Sequence, residues 1–149
     1  MNNAGEFNSP FGHYSNPNIV NAPTLRAVSL YLKSENIFLS SGDYEQVLTT
    51  LPRGAFVYLD PPYDPVSDTA SFTGYSKHGF SRDEQIRLRK CCDALTGRGI
   101  KFMLSNSSTD FIREQYSSYK IITVQAKRSI NSDATKRGDV EEVVVCNYE

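Results

Sequence analysis

The 149-residue sequence contains no tryptophan and only two methionines, two histidines and three cysteines. Cys91 and Cys92 are adjacent and Cys146 stands alone, so the cysteines share no repeated spacing. An odd count without such spacing argues against both a disulfide framework and a zinc site. We therefore expect packing cysteines, no bound metal and a reducing, cytoplasmic compartment.

Long apolar runs and an excess of one charge are also missing. The longest apolar runs, such as residues 55–59 and 143–146, are far shorter than the roughly 20 residues that cross a bilayer. The first residues carry no signal-peptide pattern, and we expect no membrane partner. A net charge of −1 gives no overall attraction to nucleic acid, so affinity for DNA would have to come from local clusters of charge.

The first 23 residues are rich in Asn, Pro and Gly, which is typical of loops. Asn21 and an early proline then predict the start of a helix that runs to Lys33. A short apolar run predicts a strand at residues 36–40, and a short helix is expected to follow it from Tyr44. This part of the chain begins an alternation of helices and strands.

The middle of the chain continues that alternation. Residues 55–59 are all apolar and stop at two prolines, which is typical of a strand buried on both faces of a parallel sheet. A long polar loop follows to Phe80, and Ser81 with Glu84 forms a capping box that opens a helix ending near Gly97. A second buried strand at residues 101–105 precedes a short helix. The pattern predicts an open α/β sheet with right-handed crossovers.

The last third of the chain has a different pattern. Residues 119–124 and 140–146 predict two strands without a helix between them, and the simplest interpretation is an antiparallel hairpin. The segment from Lys120 to Gly138 holds five basic residues and one acidic residue. This local charge is consistent with a solvated loop and equally with a loop that contacts phosphates.

Asp60, Pro61, Pro62 and Tyr63 follow the first buried strand, where open α/β sheets bind their ligands. An ionised carboxylate only accepts hydrogen bonds, and proline offers a carbonyl without an N–H. Pro62 biases the preceding residue towards an extended conformation, and Tyr63 offers a flat face for stacking. These features predict a pocket for a planar aromatic amine.

Two acceptors that hold both amine hydrogens would prepare the nitrogen lone pair for attack on an electrophile. The alternative is purely structural: the prolines end the strand, and Tyr63 packs beneath it.

The sequence resembles the C-terminal part of Dam-type DNA adenine N6-methyltransferases over nearly its whole length. The segments that carry the resemblance are residues 5–12 (GEFNSPFG) and Tyr14, Asp43-Tyr44, residues 57–63 (VYLDPPY), Pro65, Ser67, Thr69, residues 72–75 (FTGY), Phe80, residues 104–107 (LSNS) and residues 127–130 (KRSI). The resemblance implies methyl transfer from S-adenosylmethionine to the amine of an adenine flipped out of double-stranded DNA, without a metal. It also implies a partial Rossmann-like methyltransferase sheet with mainly parallel strands and a C-terminal antiparallel hairpin.

The resemblance assigns roles to individual residues. Asp60 and the Pro61 carbonyl would accept the amine hydrogens, and Tyr63 would stack on the base. Asp60 would also lie beside the methyl donor. Asp43 and Tyr44 would contact the adenine ring of S-adenosylmethionine. The alternative is that Asp43 is a plain helix cap. The residues expected at DNA are Asn8, Pro10, His13, Tyr14, Ser67, Tyr75, Lys127 and Arg128.

The sequence departs from the family in lacking the Phe-x-Gly-x-Gly loop that approaches the methyl donor and most of the recognition domain. We therefore interpret the chain as a fragment that transfers no methyl group alone, with residues 1–22 ending a target-recognition segment and residues 23–149 forming part of the catalytic domain. Residues 5–14 are similar to those of enzymes that act on GATC. The alternatives are a noncatalytic DNA-binding remnant and an amino-methyltransferase acting on cytosine N4.

Overall fold

A computed structural model describes Ser15 and residues 19–66, 79–127 and 139–149. The chain divides into two compact units, Met1–Ser41 and Gly42–Glu149. None of the helices in the described part of the chain has the length and apolar character that a membrane crossing requires.

The first unit contains helix α1, Ala22–Leu32, with a proline in its first turn. This confirms the predicted helix, although the Asn21 side chain makes no capping hydrogen bond. The strand predicted at residues 36–40 is wrong, because this segment has no regular structure. Phe38 is 90% exposed and no strand among the described residues pairs with the segment, so its apolar run lacks both a buried face and a hydrogen-bonding neighbour.

The second unit contains three helices and four strands among its described residues. In chain order these are α2 (Tyr44–Thr50), β1 (Phe56–Leu59), α3 (Arg82–Gly97), β2 (Lys101–Ser107), α4 (Asp110–Gln115), β3 (Lys120–Lys127) and β4 (Asp139–Cys146). Each of these elements was expected from the sequence, with bounds that differ by a few residues.

The four strands form one sheet in the order β1-β2-β4-β3. β1 and β2 are parallel, β4 is antiparallel to both β2 and β3, and the hairpin of β3 and β4 is as predicted. The expectation of mainly parallel strands is wrong for the described residues. The parallel part comprises only β1 and β2, because the predicted strand before them does not form.

Helix α3 packs on one face of this sheet and supplies much of the core. Ser81 caps its first turn by accepting a hydrogen bond from the amide of Glu84, as the capping box predicts. Its buried residues recur at helical spacing, and Leu88, Cys92 and Leu95 join Phe102 and Leu104 of β2 in the core. Gly99 adopts a φ of 69°, which lets the chain turn sharply from α3 into β2.

Strand β1 is not buried on both faces, contrary to the prediction. Val57 and Leu59 pack against the core, whereas Phe56 and Tyr58 are 57% and 59% exposed. β1 is an edge strand of the described sheet, and no described helix of the second unit packs on the Phe56 and Tyr58 face. The apolar run therefore predicted the strand correctly, but it predicted burial of both faces incorrectly.

Candidate active site

The carboxyl ends of β1 and β2 lie at the same end of the sheet. The two strands are parallel and Leu59 pairs with Leu104, so the next residue, Asp60, lies beside Ser105 of β2. The carboxyl ends of neighbouring parallel strands form the usual ligand-binding edge of such sheets. This pairing places the predicted acceptor group beside a run of polar residues at the end of β2.

Asp60 is exposed, and one of its two carboxylate oxygens accepts a hydrogen bond. The hydroxyl of Ser105 donates a 2.7 Å hydrogen bond to Oδ1 of Asp60, and the Tyr58 hydroxyl lies 3.2 Å from the same Ser105 oxygen. Within the described part of the chain, no group donates to Oδ2 of Asp60 or to the Pro61 carbonyl, and Asp60 forms no ion pair. Two acceptors therefore remain available to a ligand with an N–H₂ group.

Tyr63 is partly buried beside these acceptors. Burial raises the pKa of its phenol, an effect that the nearby Ser105 hydroxyl partly offsets. The side chain is therefore neutral near pH 7 and presents an uncharged aromatic ring, as stacking on a base requires.

The next residue, Asp64, is only 3% exposed and anchors the end of the tetrapeptide. Its carboxylate accepts hydrogen bonds from Arg82 of α3 and from the Thr109 hydroxyl, which lies 2.8 Å away. Its backbone carbonyl accepts a hydrogen bond from the hydroxyl of Ser107. The loop after β1 is thus fixed to α3, to β2 and to the start of α4.

The predicted contacts to the methyl donor, Asp43 and Tyr44, lie at the start of α2. Asp43 caps this helix by accepting from the Glu45 amide at 2.9 Å, as the alternative interpretation expected. Its two oxygens also accept from Arg87 of α3 at 3.2 and 2.8 Å, and the Arg87 guanidinium lies 4.5 Å from the centre of the Tyr44 ring. Hydrogen bonding to Arg87 lowers the pKa of Asp43, which stays ionised.

Helix α3 contacts both groups of predicted site residues through its first two turns. The Tyr44 hydroxyl donates to Glu84 at 3.4 Å, and the next residue, Gln85, bonds to the backbone at Pro62. Glu84 also pairs with Arg87. α3 therefore links α2 to the tetrapeptide that follows β1.

Most residues predicted to contact DNA lie outside the described residues: Asn8, Pro10, His13, Tyr14, Ser67, Tyr75 and Arg128. Lys127 ends β3, but its side chain is not among those described. β3 and β4 continue pairing to Lys127 and Asp139, three residue pairs beyond the point where β2 ends against β4. The hairpin therefore projects about 10 Å past the end of β2.

The sequence analysis assigned no individual role to four residues of this site, Ser105, Asn106, Asp64 and Gln85, although the first two lie in the 104–107 segment that carries the resemblance. The first two belong to the polar run that follows the apolar residues of β2, and that position was a usable signal. Gln85 and Asp64 gave no comparable signal, because their partners are 18 or more residues away along the chain. Among the described residues, no cluster of three or more His, Cys, Asp or Glu side chains could hold a metal ion.

Comparison with known proteins gives an independent indication of the family. Residues 1–130 match the profile of the D12 class N6 adenine-specific DNA methyltransferases. The chain is 40% identical over 148 residues to the Type II methyltransferase M1.LlaDCHI of Lactococcus lactis subsp. cremoris, covering 99% of this chain and 52% of that protein.

Two further relatives are also methyltransferases by name. The Type II methyltransferase M.MjaIII of Methanocaldococcus jannaschii is 45% identical over 150 residues, which cover 99% of this chain and 51% of that protein. The DNA adenine methylase of Escherichia coli is 34% identical over 140 residues, with 94% of this chain and 49% of that protein covered. The chain thus spans about half the length of these curated relatives.

Proposed function

Because the chain belongs to the D12 class N6 adenine-specific DNA methyltransferase family, we propose that it forms the acceptor side of an enzyme that methylates adenine in DNA. In this proposal Asp60, Pro61, Pro62 and Tyr63 bind the flipped base, and S-adenosylmethionine is the methyl donor. The activity belongs to the complete methyltransferase, and we expect no transfer by this chain alone.

The observation that carries the proposal is the pair of available acceptors beside Tyr63. Oδ2 of Asp60 and the carbonyl of Pro61 have no hydrogen-bond donor within the described part of the chain, and they follow the carboxyl end of a parallel strand, where open α/β sheets usually bind ligands. An exocyclic amine has two hydrogens to donate and fits this pair, whereas a keto oxygen would meet two acceptors and be repelled.

The reaction needs a better nucleophile than a free aromatic amine, whose lone pair is delocalised into the ring. Hydrogen bonds to Asp60 and Pro61 favour a pyramidal nitrogen with its lone pair directed away from the acceptors. S-adenosylmethionine supplies an electrophilic methyl group on a positively charged sulfur. When the donor is bound, its methyl group would pass to the amine nitrogen and leave the C–S electron pair on sulfur, and Asp60 or water would take the proton that the nitrogen releases.

Asp43 and Tyr44 have the chemistry to hold the adenosine part of the donor. Three N–H groups, one from Glu45 and two from Arg87, already donate to the Asp43 carboxylate. The Gln46 amide is a further hydrogen-bond partner of this carboxylate, so a ligand donor would share Asp43 with these groups. Tyr44 adds an aromatic ring that could pack against a purine.

Double-stranded DNA is the partner that this function requires, and residues 1–22 would end its target-recognition segment. The local excess of basic residues between Lys120 and Gly138 supports a backbone contact near Lys127 and Arg128. The first target sequence to test is GATC, because residues 5–14 resemble those of enzymes that act on it.

A chimaera can test the proposal with a donor half supplied by a relative. The matched part of the lactococcal methyltransferase M1.LlaDCHI is replaced by this chain, and transfer of labelled methyl groups into duplex DNA is measured. We expect incorporation into GATC duplexes and none when inosine replaces the target adenine. Asp60→Ala should abolish incorporation, whereas Asp110→Ala, which changes an exposed aspartate of α4, should not.

Two results would overturn the proposal. Incorporation into cytosine rather than adenine would indicate the amino-methyltransferase alternative. DNA binding by a folded chimaera without incorporation into any duplex would indicate a noncatalytic DNA-binding remnant. The unmodified lactococcal enzyme, assayed in parallel, confirms that the donor half and the assay are competent.

A further inference from the structure

Two buried amide side chains, Gln85 of α3 and Asn106 of β2, lie beneath the tetrapeptide. Gln85 is 1% exposed and Asn106 is fully buried. Nε2 of Gln85 donates to the Pro62 carbonyl at 2.8 Å, and Nδ2 of Asn106 donates to Oε1 of Gln85 at 3.2 Å. Oδ1 of Asn106 accepts from the amide of Asp64 at 3.0 Å. The two amides therefore form a continuous connection from one side of Tyr63 to the other.

The two backbone groups that they hold define the conformation of Tyr63. The Pro62 carbonyl belongs to the peptide plane before Tyr63, and the Asp64 amide belongs to the plane after it. Each peptide unit is rigid, so fixing both planes fixes φ and ψ of the residue between them. The direction in which the Tyr63 ring leaves the backbone is then set by Gln85 and Asn106.

An apolar pair of the same size would fill this space at lower cost, because a buried amide must recover the hydrogen bonds that it loses to water. Gln85 and Asn106 recover theirs by bonding to each other and to the backbone around Tyr63. Pro61 and Pro62 have no N–H groups, so the backbone of this stretch has few donors that could form hydrogen bonds with the rest of the fold. The amides supply the missing connections.

We infer that Gln85 and Asn106 are positioning residues that set the geometry of the base-binding tetrapeptide through the Pro62 carbonyl and the Asp64 amide. This inference rests on the proposed function only in treating Tyr63 and Pro61 as contacts to adenine. Neither amide touches the reacting atoms. They act by keeping the stacking ring and the acceptor carbonyl in one arrangement before the base arrives.

The test uses the 149-residue chain and the Gln85→Glu variant. Ionised glutamate retains the acceptor for Asn106 and loses the donor to Pro62, whereas protonated glutamic acid regains one donor. Burial raises the pKa of such a carboxyl, so protonation should occur in an accessible pH range. The matched control is Gln46→Glu, which makes the same change on the exposed surface of α2.

The readouts are the NMR resonances of the Pro62 carbonyl carbon and the Tyr63 ring, together with the affinity for adenosine. At pH 8 we expect Gln85→Glu to shift these resonances and to weaken adenosine binding roughly five- to tenfold, as the loss of one hydrogen bond predicts. At pH 5 the resonances and the affinity should return towards those of the wild type. Asp64 and Arg82, the charged groups of the same network, are present in every variant.

Unchanged Pro62 and Tyr63 resonances in folded Gln85→Glu at pH 8 would overturn the inference, as would a change that persists at pH 5. If Gln85→Glu does not fold, Asn106→Asp provides the same test, because it removes the donor to Gln85 and retains the acceptor for Asp64. Failure of the wild-type chain to bind adenosine would count against the proposed function in this chain. The Pro62 and Tyr63 resonances of the variants would still show whether Gln85 and Asn106 position Tyr63.

Discussion

The hydroxyl of Ser105 donates a 2.7 Å hydrogen bond to Oδ1 of Asp60. Ser105 is buried within β2, and Asp60 directly follows β1, the parallel neighbour of that strand. The orientation of the carboxylate is therefore set by the pairing of two strands rather than by a loop. Since Ser105 occupies Oδ1, the other oxygen is the one presented to a ligand.

Removing the Ser105 hydroxyl should impair methyl transfer without preventing DNA binding. In the lactococcal chimaera we expect Ser105→Ala to lower the single-turnover rate about 10- to 100-fold, because a hydrogen bond to a charged group contributes about 1.5–3 kcal/mol. The affinity for duplex DNA should change little. Ser105→Thr, which retains a hydroxyl, should recover much of the rate. An equal loss of rate and DNA affinity would show that Ser105 supports the fold rather than Asp60.

The sequence was sufficient to locate the acceptor group, because Asp60 and its two prolines follow an apolar run and so lie at the end of a strand. It was also sufficient for α3, where the capping box at Ser81 and the apolar spacing agree. Both features depend on residues that are close together in the chain, and local rules describe such features well.

What the sequence could not predict depends on contacts between distant residues. The exposure of Phe56 and Tyr58 depends on which elements cover the sheet, and an apolar run carries no information about that. The bond between Gln85 and Pro62 joins residues 23 positions apart, and the one between Arg87 and Asp43 joins residues 44 positions apart. These polar partners are set by the packing of α3, which no local pattern specifies.

Replacing the Tyr63 ring should weaken binding of the base. Stacking of a base on an aromatic side chain contributes about 1–3 kcal/mol, so Tyr63→Ala in the chimaera should weaken binding roughly 5- to 150-fold. The measurement is the affinity for a duplex that carries 2-aminopurine at the target position. Tyr63→Phe retains the ring and should bind nearly as well as the wild type. Comparable losses in both variants would assign the effect to the hydroxyl and contradict stacking.

Asn147 should contribute to stability far from the candidate site. Its side chain accepts from the Phe102 amide at 2.9 Å and donates to the Ile100 carbonyl at 2.9 Å, at the start of β2. Asn147→Ala leaves these backbone groups without partners, and we expect it to lower the free energy of unfolding by about 1–3 kcal/mol in urea titrations. Asn147→Asp retains the acceptor for Phe102 and should cost less. Equal losses for the two variants would exclude that hydrogen bond as the cause.

Arg87 should make the stability of the chain depend on pH in the acidic range. Hydrogen bonding to Arg87 holds the pKa of Asp43 below its usual 3.8, so the folded state favours the ionised carboxylate. A lowered folded-state pKa contributes stability above the unfolded-state value, and that contribution disappears as the pH falls through the folded-state value. The effect is therefore complete at pH 6 and begins to decrease once the pH falls below the usual 3.8.

The measurement is a double-mutant cycle of Arg87→Ala and Asp43→Asn, with urea unfolding at pH 6 and pH 2.5. We expect a coupling between the two residues at pH 6 that is smaller at pH 2.5, where the ionised fraction of Asp43 is lower. High salt should weaken the coupling at pH 6, because both side chains are in contact with solvent. A coupling that is equal at the two pH values would mean that Arg87 stabilises α2 by packing on Tyr44 rather than by its charge.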